Sequence, residues 1–456
     1  MKSLNITFVL MICLLLTAHA QTENLDSYIR EGLSNNESIK QQNFNLEKSI
    51  YALKEATGLF APSINLKTDY ITGKGGRSID VPVGDLVNPI YNNLNQINSV
   101  LTPSAPRYPT LNNLSEQLNP SNFYNAYIRA SMPLVNAEIW YNRKIKKDQI
   151  SMQQSDLLIY KRELVKDIKQ AYFNYIKATA AVSIYENALT LVKESERVNQ
   201  KLVENGKEVV FALSRSKSEV SKIEAQLNDA QNTKKNAAAY FNFLLNKPLD
   251  SEIKIDEALL KNMVMLPENP SANSSKREEL AKLFTAKKIT DNVLNIKKAS
   301  WIPTLGAQID LGSQASDFKW NSKSQYYLFG ISFDWNLFSG LRDVNKVKQA
   351  KLDVLALESQ TKYVETQLQL SSTTAANSYT SAVEQYKSAI EEETTAAQYF
   401  SLMNKRYKEG QALYIEFLDA RNENTLASLR RAITYFDAWI KYSESERANA
   451  SYQLSK

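Results

Sequence analysis

Residues 327–340, YLFGISFDWNLFSG, alternate strictly. Tyr327, Phe329, Ile331, Phe333, Trp335 and Leu337 share one face; Leu328, Gly330, Ser332, Asp334 and Asn336 share the other. Period-two patterning over ~10 residues predicts a half-buried strand, of a length that suits a tilted membrane strand or a soluble sheet equally. Heptad-spaced residues then continue to Gly410, where a second helical stretch starts. The same succession occurs earlier. PLVN (133–136) stands where NLFS (336–339) stands later, and Leu134 to Gly206 is nearly as long as Leu337 to Gly410. Two halves of one plan imply a tandem duplication.

Each half holds a further strand. Pro62, Ile64, Leu66, Thr68 and Tyr70 oppose Ser63, Asn65, Lys67 and Asp69, and Tyr124, Ala126, Ile128, Ala130, Met132 and Leu134 oppose Asn125, Arg129 and Ser131. In the second half Trp301, Pro303, Leu305, Ala307, Ile309 and Leu311 oppose Thr304, Gln308 and Asp310. The strands are expected at about 61–71, 123–134, 301–311 and 326–337. Aromatic residues gather at their ends (Tyr70, Phe123, Tyr124, Tyr326, Tyr327; Trp301, Trp335), as in the interfacial girdles of outer-membrane barrels. Residues 72–122 carry half of the twelve prolines and read as a long irregular loop.

The helices carry seams. Leu164, Ile168, Ala171, Tyr175, Ala178, Val182, Tyr185, Leu189 and Val192 alternate spacings of four and three; Leu213, Ser216, Val220, Ile223, Leu227 and Ala230 resume after Gly206. The second half offers Tyr379, Val383, Tyr386, Ile390, Ala397 and Phe400 with Glu393 interrupting, then Leu426, Leu429, Ile433, Phe436 and Ile440. A sustained 3.5 period predicts antiparallel coiled-coil hairpins, at about 138–245 and 341–453, and the arm from Glu138 to Asn205 would be roughly 100 Å long if fully helical. The first repeat is set at 21–245 and the second at 276–456. Residues 246–275, with Pro248, Pro267 and Pro270, are the expected linker.

Lys2, an apolar run from Ile6 to Leu16 and Ala18-His19-Ala20 predict a cleaved secretory signal peptide over residues 1–20. The only cysteine, Cys13, and the only histidine, His19, lie in it, so Cys/His zinc sites and His-based triads are excluded from the mature chain. The net charge of +6, from 55 basic and 49 acidic residues without like-charge blocks, gives no support for nucleic-acid binding. No apolar stretch after Gln21 is long enough for a membrane helix. Membrane insertion would have to be by strands. Four strands cannot close a barrel, since the smallest use about eight, and open edges cannot face lipid. A membrane-inserted chain must therefore be a homo-oligomer sharing one barrel, and this argument leaves the number of copies open.

Four segments carry a resemblance: LDSYIREGLSNNESIKQQNFNLEKSIYALKEATGLFAPSI (25–64), AAAYFNFLLNKPLD (237–250), FDWNLFSG (333–340) and RYKEGQALYIEFLDARNENTLASLRRAITYFDAWIKY (406–442). Together they resemble the TolC family of bacterial outer-membrane efflux proteins. The resemblance implies a mainly α fold with a membrane β-barrel portion. Three protomers would share a twelve-stranded barrel continued by a helical tunnel in the periplasm. It also implies docking to a periplasmic adaptor (membrane fusion) protein and an inner-membrane efflux pump or ABC transporter.

At the tunnel entrance the prototype's V-D-V-L-D-A run corresponds to Ile415-Glu416-Phe417-Leu418-Asp419-Ala420, which implies gate positions at Glu416 and Asp419. Spaced by three, the two carboxylates share a helix face. In a symmetric oligomer they would stack as acidic rings that favour cations; from the spacing alone a solvated helix face is the favoured reading, and the resemblance reverses it. Tyr407 matches a constricting tyrosine, and Gly206 and Gly410 mark the tip turns. The chain departs from the pattern at Ala412 and Ala212, where the prototype's tip arginine and its acidic partner would stand, and at Ala137 in place of the glycine seen at Gly340.

Three function classes compete. An export duct needs no cofactor, metal or catalytic residue, because its energy comes from partners. A structural periplasmic coiled coil accounts for the helices but not for amphipathic strands at matching points of both halves. A hydrolase using paired carboxylates would need a pocket motif or phosphate loop, and none accompanies the scattered acidic pairs.

Overall fold

The computed structural model describes residues 23–119, 122–206, 210–256, 259–260, 263, 266–270 and 274–454. The expected signal peptide lies outside them. In chain order the elements are α1 (Glu23–Asn35), α2 (Glu37–Gly58), β1 (Ser63–Ile71), β2 (Ser78–Val81), α3 (Val83–Leu101), β3 (Leu114–Gln117), β4 (Phe123–Val135), α4 (Ala137–Glu204), α5 (Val210–Leu244), α6 (Glu278–Lys298), β5 (Thr304–Ser316), β6 (Gln325–Asp334), α7 (Arg342–Lys408) and α8 (Tyr414–Asn449). They form two compact units, and each draws on both halves of the chain.

The helical unit takes residues 23–52, 144–294 and 348–454. Its long helices, α4 and α7, run 68 and 67 residues. All four hairpin helices stop at a left-handed residue: Gly206 (φ 67°), Asn246 (φ 58°), Gly410 (φ 73°) and Ala450 (φ 50°). At Gly410 the Gln411 and Gly410 N–H groups donate back to the Arg406 and Tyr407 carbonyls at 2.8 and 3.0 Å, a Schellman stop that glycine adopts without steric cost. The core gathers Ile29 of α1, Ile168, Tyr172 and Ile176 of α4, Phe241 of α5 and Tyr435 and Phe436 of α8. The α4 seam is buried from Leu164 to Val182 and again at Val192, with Tyr185 and Leu189 half-buried.

In the second half the expected seam holds at Tyr379, Tyr386, Leu429 and Phe436, which are buried, but fails at other positions. Ala389 and Ala396 are buried, whereas Ile390 and Ala397 are exposed; on α8, Leu418, Arg421, Ala432 and Phe436 are buried, whereas Leu426 and Ile433 are exposed. Packing chose the small residues, which carry little hydropathy signal, over the larger ones beside them. Glu393, the supposed interruption, faces α8 and accepts from Arg431 at 2.5 Å. The linker segment is likewise strapped down. Ile253 and Leu259 enter the core, the Lys254 N–H donates to Tyr28 at 2.8 Å, and the Tyr379 hydroxyl donates to the Pro267 carbonyl.

An ionic clasp joins α4, α6 and the end of α8. Arg447 donates to Glu163 (3.0 Å) and Glu279 (2.7 Å), Arg277 also holds Glu279, and Arg162 holds Glu278 at 2.7 Å. Burial alone would raise the Glu279 pKa, but hydrogen bonds from Arg277 and Arg447 outweigh it and bring it down to about 2. A carboxylate depressed in the folded state stabilises above its unfolded pKa, and that stability is lost as pH falls through the folded value. Melting temperatures should therefore fall between pH 4.5 and 2 in the wild type. Glu279→Gln should already melt lower at pH 7, by the equivalent of about 1–2 kcal/mol once partial exposure is allowed for, and lose less on acidification.

The sheet unit takes residues 53–143 and 295–347. Its four strands are antiparallel throughout, in the order β1-β4-β5-β6. The registers align the alternation across all four. Ile64 lies opposite Ala130, Ala130 opposite Ile309 and Ile309 opposite Phe329, which makes one apolar row. Asn65, Arg129 and Asp310 make a polar row on the other face. The third strand runs later than expected, 304–316 rather than 301–311, because its pairing with β6 continues to Ser313 and with β4 to Ser316. The fourth ends at Asp334 rather than near Leu337.

Residues 72–122 are not an irregular loop. They contain a two-stranded sheet, β2 with β3, and the 19-residue helix α3 with Pro89 inside it. Proline and asparagine density masked an apolar spacing of three and four at Val83, Leu86, Ile90 and Ile97. No helix among the described residues is long and apolar enough to cross a membrane.

Candidate functional site

The tip of the helical unit is built on the two glycine stops. Beyond Gly410, α8 begins at Tyr414, and the Glu416 carboxylate turns back to accept the Leu413 N–H at 2.8 Å. A carboxylate at the third helical position satisfies a donor that no helical carbonyl reaches and favours the positive end of the helix dipole. Glu416 thus also caps its helix. Asp419, one turn on, is exposed and makes no side-chain hydrogen bond or ion pair among the described residues. The two acidic groups share an exposed face, as their spacing requires.

Tyr407 is half-buried in a cluster of rings. It stacks on Phe417 at 5.0 Å and lies 5.7 Å from Tyr414, while Phe417 meets Phe400 at 6.0 Å. Its hydroxyl donates to Asn199 Oδ1 of α4 at 2.6 Å. Asn199 is fully buried, and its Nδ2 finds no partner. Ser195, one turn earlier, donates to the Tyr414 hydroxyl at 3.4 Å. Burial pushes the Tyr414 phenol up, with Ser195 opposing.

Deeper in the unit lies a pair that the sequence reading missed. Arg421 of α8, 1% exposed, donates through Nη2 to Glu219 of α5 at 3.1 Å, and Arg215 approaches the other Glu219 oxygen at 3.4 Å. Arg421 Nε and Nη1 are buried without partners. Burial holds the guanidinium pKa below its usual value against the pull of Glu219. The available signal was positional. Arg421 is three residues past the buried Leu418, and Ser195, Asn199 and Ser216 also fall on seam positions. Ala212 is buried and Ala412 half-buried, so the tip has polar anchors, but not at the prototype's positions.

The sheet unit supplies the second functional surface. On its polar face Arg129 grips Asp310 with two parallel hydrogen bonds of 2.7 Å. Its apolar face is bare: Leu66, Ile128, Leu311, Tyr327, Phe329 and Phe333 are all exposed. At the end that includes the β5–β6 turn, Tyr70, Phe318, Tyr124 and Trp320 stack in a row at 5.3–5.9 Å. An uncovered apolar sheet face beside a polar one, edged with aromatics, is what a lipid-facing barrel wall requires.

These features define an outer-membrane channel protein. The family model for outer membrane efflux proteins matches residues 28–247 and 288–433, and the chain belongs to that family. It is an exit duct for efflux or secretion, seated in the outer membrane with its helical portion in the periplasm. Among solved structures, the Campylobacter jejuni CmeC outer membrane channel superposes with a TM-score of 0.76 at 14% identity, covering 95% of this chain and 87% of that one. The outer membrane protein VceC of Vibrio cholerae gives 0.73 at 13%, covering 94% and 97%. The Neisseria gonorrhoeae MtrE channel in its open state gives 0.73 at 14%, covering 93% and 88%. At such identities the likeness is one of fold. No curated protein sequence matches.

Proposed function

We propose that the chain works as a homotrimer whose copies share one twelve-stranded barrel, with a cation-responsive constriction at Glu416, Asp419 and Tyr407. The observation that carries the assembly is the sheet with its two open edges. The outer edges of β1 and β6 are unpaired in the single chain, and hydrocarbon tolerates no open edge. With four antiparallel strands, β6 of one copy meets β1 of the next in antiparallel sense, so copies can join edge to edge and close. Three copies follow the family resemblance.

Around a threefold axis, Glu416 and Asp419 become two stacked acidic rings one helical turn apart, with Tyr407 packed on Phe417 at their level. Val210, Phe211, Leu413 and Ile415, exposed beside both tip turns, suit an apolar contact with a periplasmic adaptor, which would couple the duct to an inner-membrane efflux pump or ABC transporter.

Single-channel conductance in planar bilayers tests the constriction. Glu416→Gln with Asp419→Asn removes both charges while the glutamine amide still caps Leu413. Divalent cations added on the tip side should block the wild type and block the double variant much less. Equal block in the two proteins would remove these residues from the gate while leaving the duct intact.

A further inference from the structure

The connection between β1 and β4 holds an amphipathic helix that its own chain covers on one side only. On that side, the Asn88 side chain exchanges two hydrogen bonds of 2.8 Å with the Leu111 backbone, and Asn95 does the same with Tyr108 at 2.7 and 3.0 Å. Asp85 and Asn113 make a third such exchange. Gly84 lets this return segment pass so close that a Cβ would lie 2.4 Å from the Leu111 carbonyl oxygen. The opposite side is apolar and bare: Leu86 is 67% exposed, Ile90 58%, Ile97 51%, Val100 79% and Leu101 75%.

Three properties of that stripe identify its occupant. Val83, Leu86, Ile90, Asn93, Ile97 and Val100 follow spacings of three and four, a heptad seam whose natural complement is another helix of the same pattern. The only charged residue of α3 is Asp85, and it is engaged on the covered side, so identical helices can approach without repulsion. Asn93 sits mid-stripe. Facing lipid its amide would be unsatisfied, whereas in a bundle of copies the amides can bond one another, as polar residues in coiled-coil cores do. The helix also belongs to the connection leaving β1, an edge strand that must meet a neighbouring copy, so the contact continues that interface.

We infer that α3 is an inter-protomer contact, and that the copies of this helix pack their Val83–Val100 faces against one another at the end of the barrel where β1 ends and β4 begins. The inference rests on the oligomeric reading above. It gives the assembly a contact independent of the strand edges and sets a helical constriction across the outer mouth.

Cysteine crosslinking of the full-length protein in native membranes tests it. In a Cys13→Ser background, Ile97→Cys should shift under mild oxidation to a crosslinked two-chain band. Asn92→Cys, on the flank away from the seam, should stay monomeric on the gel and react with a membrane-impermeant maleimide. The same preparations are weighed by native mass spectrometry. An intact oligomer in which Ile97→Cys fails to crosslink overturns this inference alone, whether the thiol then reacts with the maleimide (a solvated helix) or resists it (a helix lying on lipid). A monomer overturns this inference and the barrel reading together.

Discussion

Replacing Glu219 with alanine should destabilise the helical unit by about 3–5 kcal/mol, the cost of stranding a buried charge. Arg421 is 1% exposed and already lacks partners for Nε and Nη1, so among the described residues Glu219 is the acid that holds it. Without Glu219 the guanidinium must draw in water or swing out, and either course disturbs the packing of α5 against α8. The reverse change is milder. In Arg421→Met the remaining Glu219 keeps Arg215 at 3.4 Å, and Arg215 is half-exposed and free to tighten. The double change Glu219→Leu with Arg421→Met should recover most of the loss, because an apolar pair of similar volume removes the desolvation cost along with the attraction. Denaturant unfolding of the wild type, Glu219→Leu, Arg421→Met and the double variant in one detergent gives the coupling as the departure from additivity. Additive losses would mean that the pair does not act as a unit. Since it ties the first-half tip helix to the second-half one, Glu219→Ala should also raise the spontaneous open fraction in bilayer recordings.

That this pair escaped the sequence reading has a physical cause. Periodicity finds helices by their apolar residues, and a seam position filled by Arg421, Glu219 or Asn199 looks like an interruption of the pattern. Glu393 was dismissed on those grounds, yet it sits in the interface opposite Arg431. The same blindness misplaced single positions of the second-half seam, since Ile390 outweighs Ala389 in hydropathy while the close approach of helices favours alanine. Strands were more legible because their period is two and a one-residue error reverses the faces. The apolar row through Ile64, Ala130, Ile309 and Phe329 was present as four separate alternations, although neither strand order nor register could be read from them. At the tip, the spacing of Glu416 and Asp419 was enough to place them on one face. The capping role of Glu416 was not legible, because it depends on where α8 begins.

The two faces of the sheet should respond oppositely to charge, with the largest effect at mid-strand on the apolar side. Phe329 lies near the middle of β6, opposite Ile309, and Gln308 lies opposite Gly330 on the polar side. Arginine at a lipid-facing position near the bilayer midplane costs about 2–4 kcal/mol, and a shared barrel incurs that cost once per copy. Phe329→Arg should therefore abolish the heat-resistant oligomer in outer-membrane fractions. Gln308→Arg should assemble normally and shift ion selectivity toward anions, because it adds a ring of positive charge to the lumen. The comparison is informative because the folded single chain leaves the apolar face uncovered: Phe329 is 62% exposed, so arginine there breaks no packing within the protomer. Any difference between the two variants must then arise from what the faces meet after assembly. Equal loss at both positions would deny that one face meets lipid and the other water. Assembly of Phe329→Arg with unchanged conductance would deny that the sheet spans the membrane.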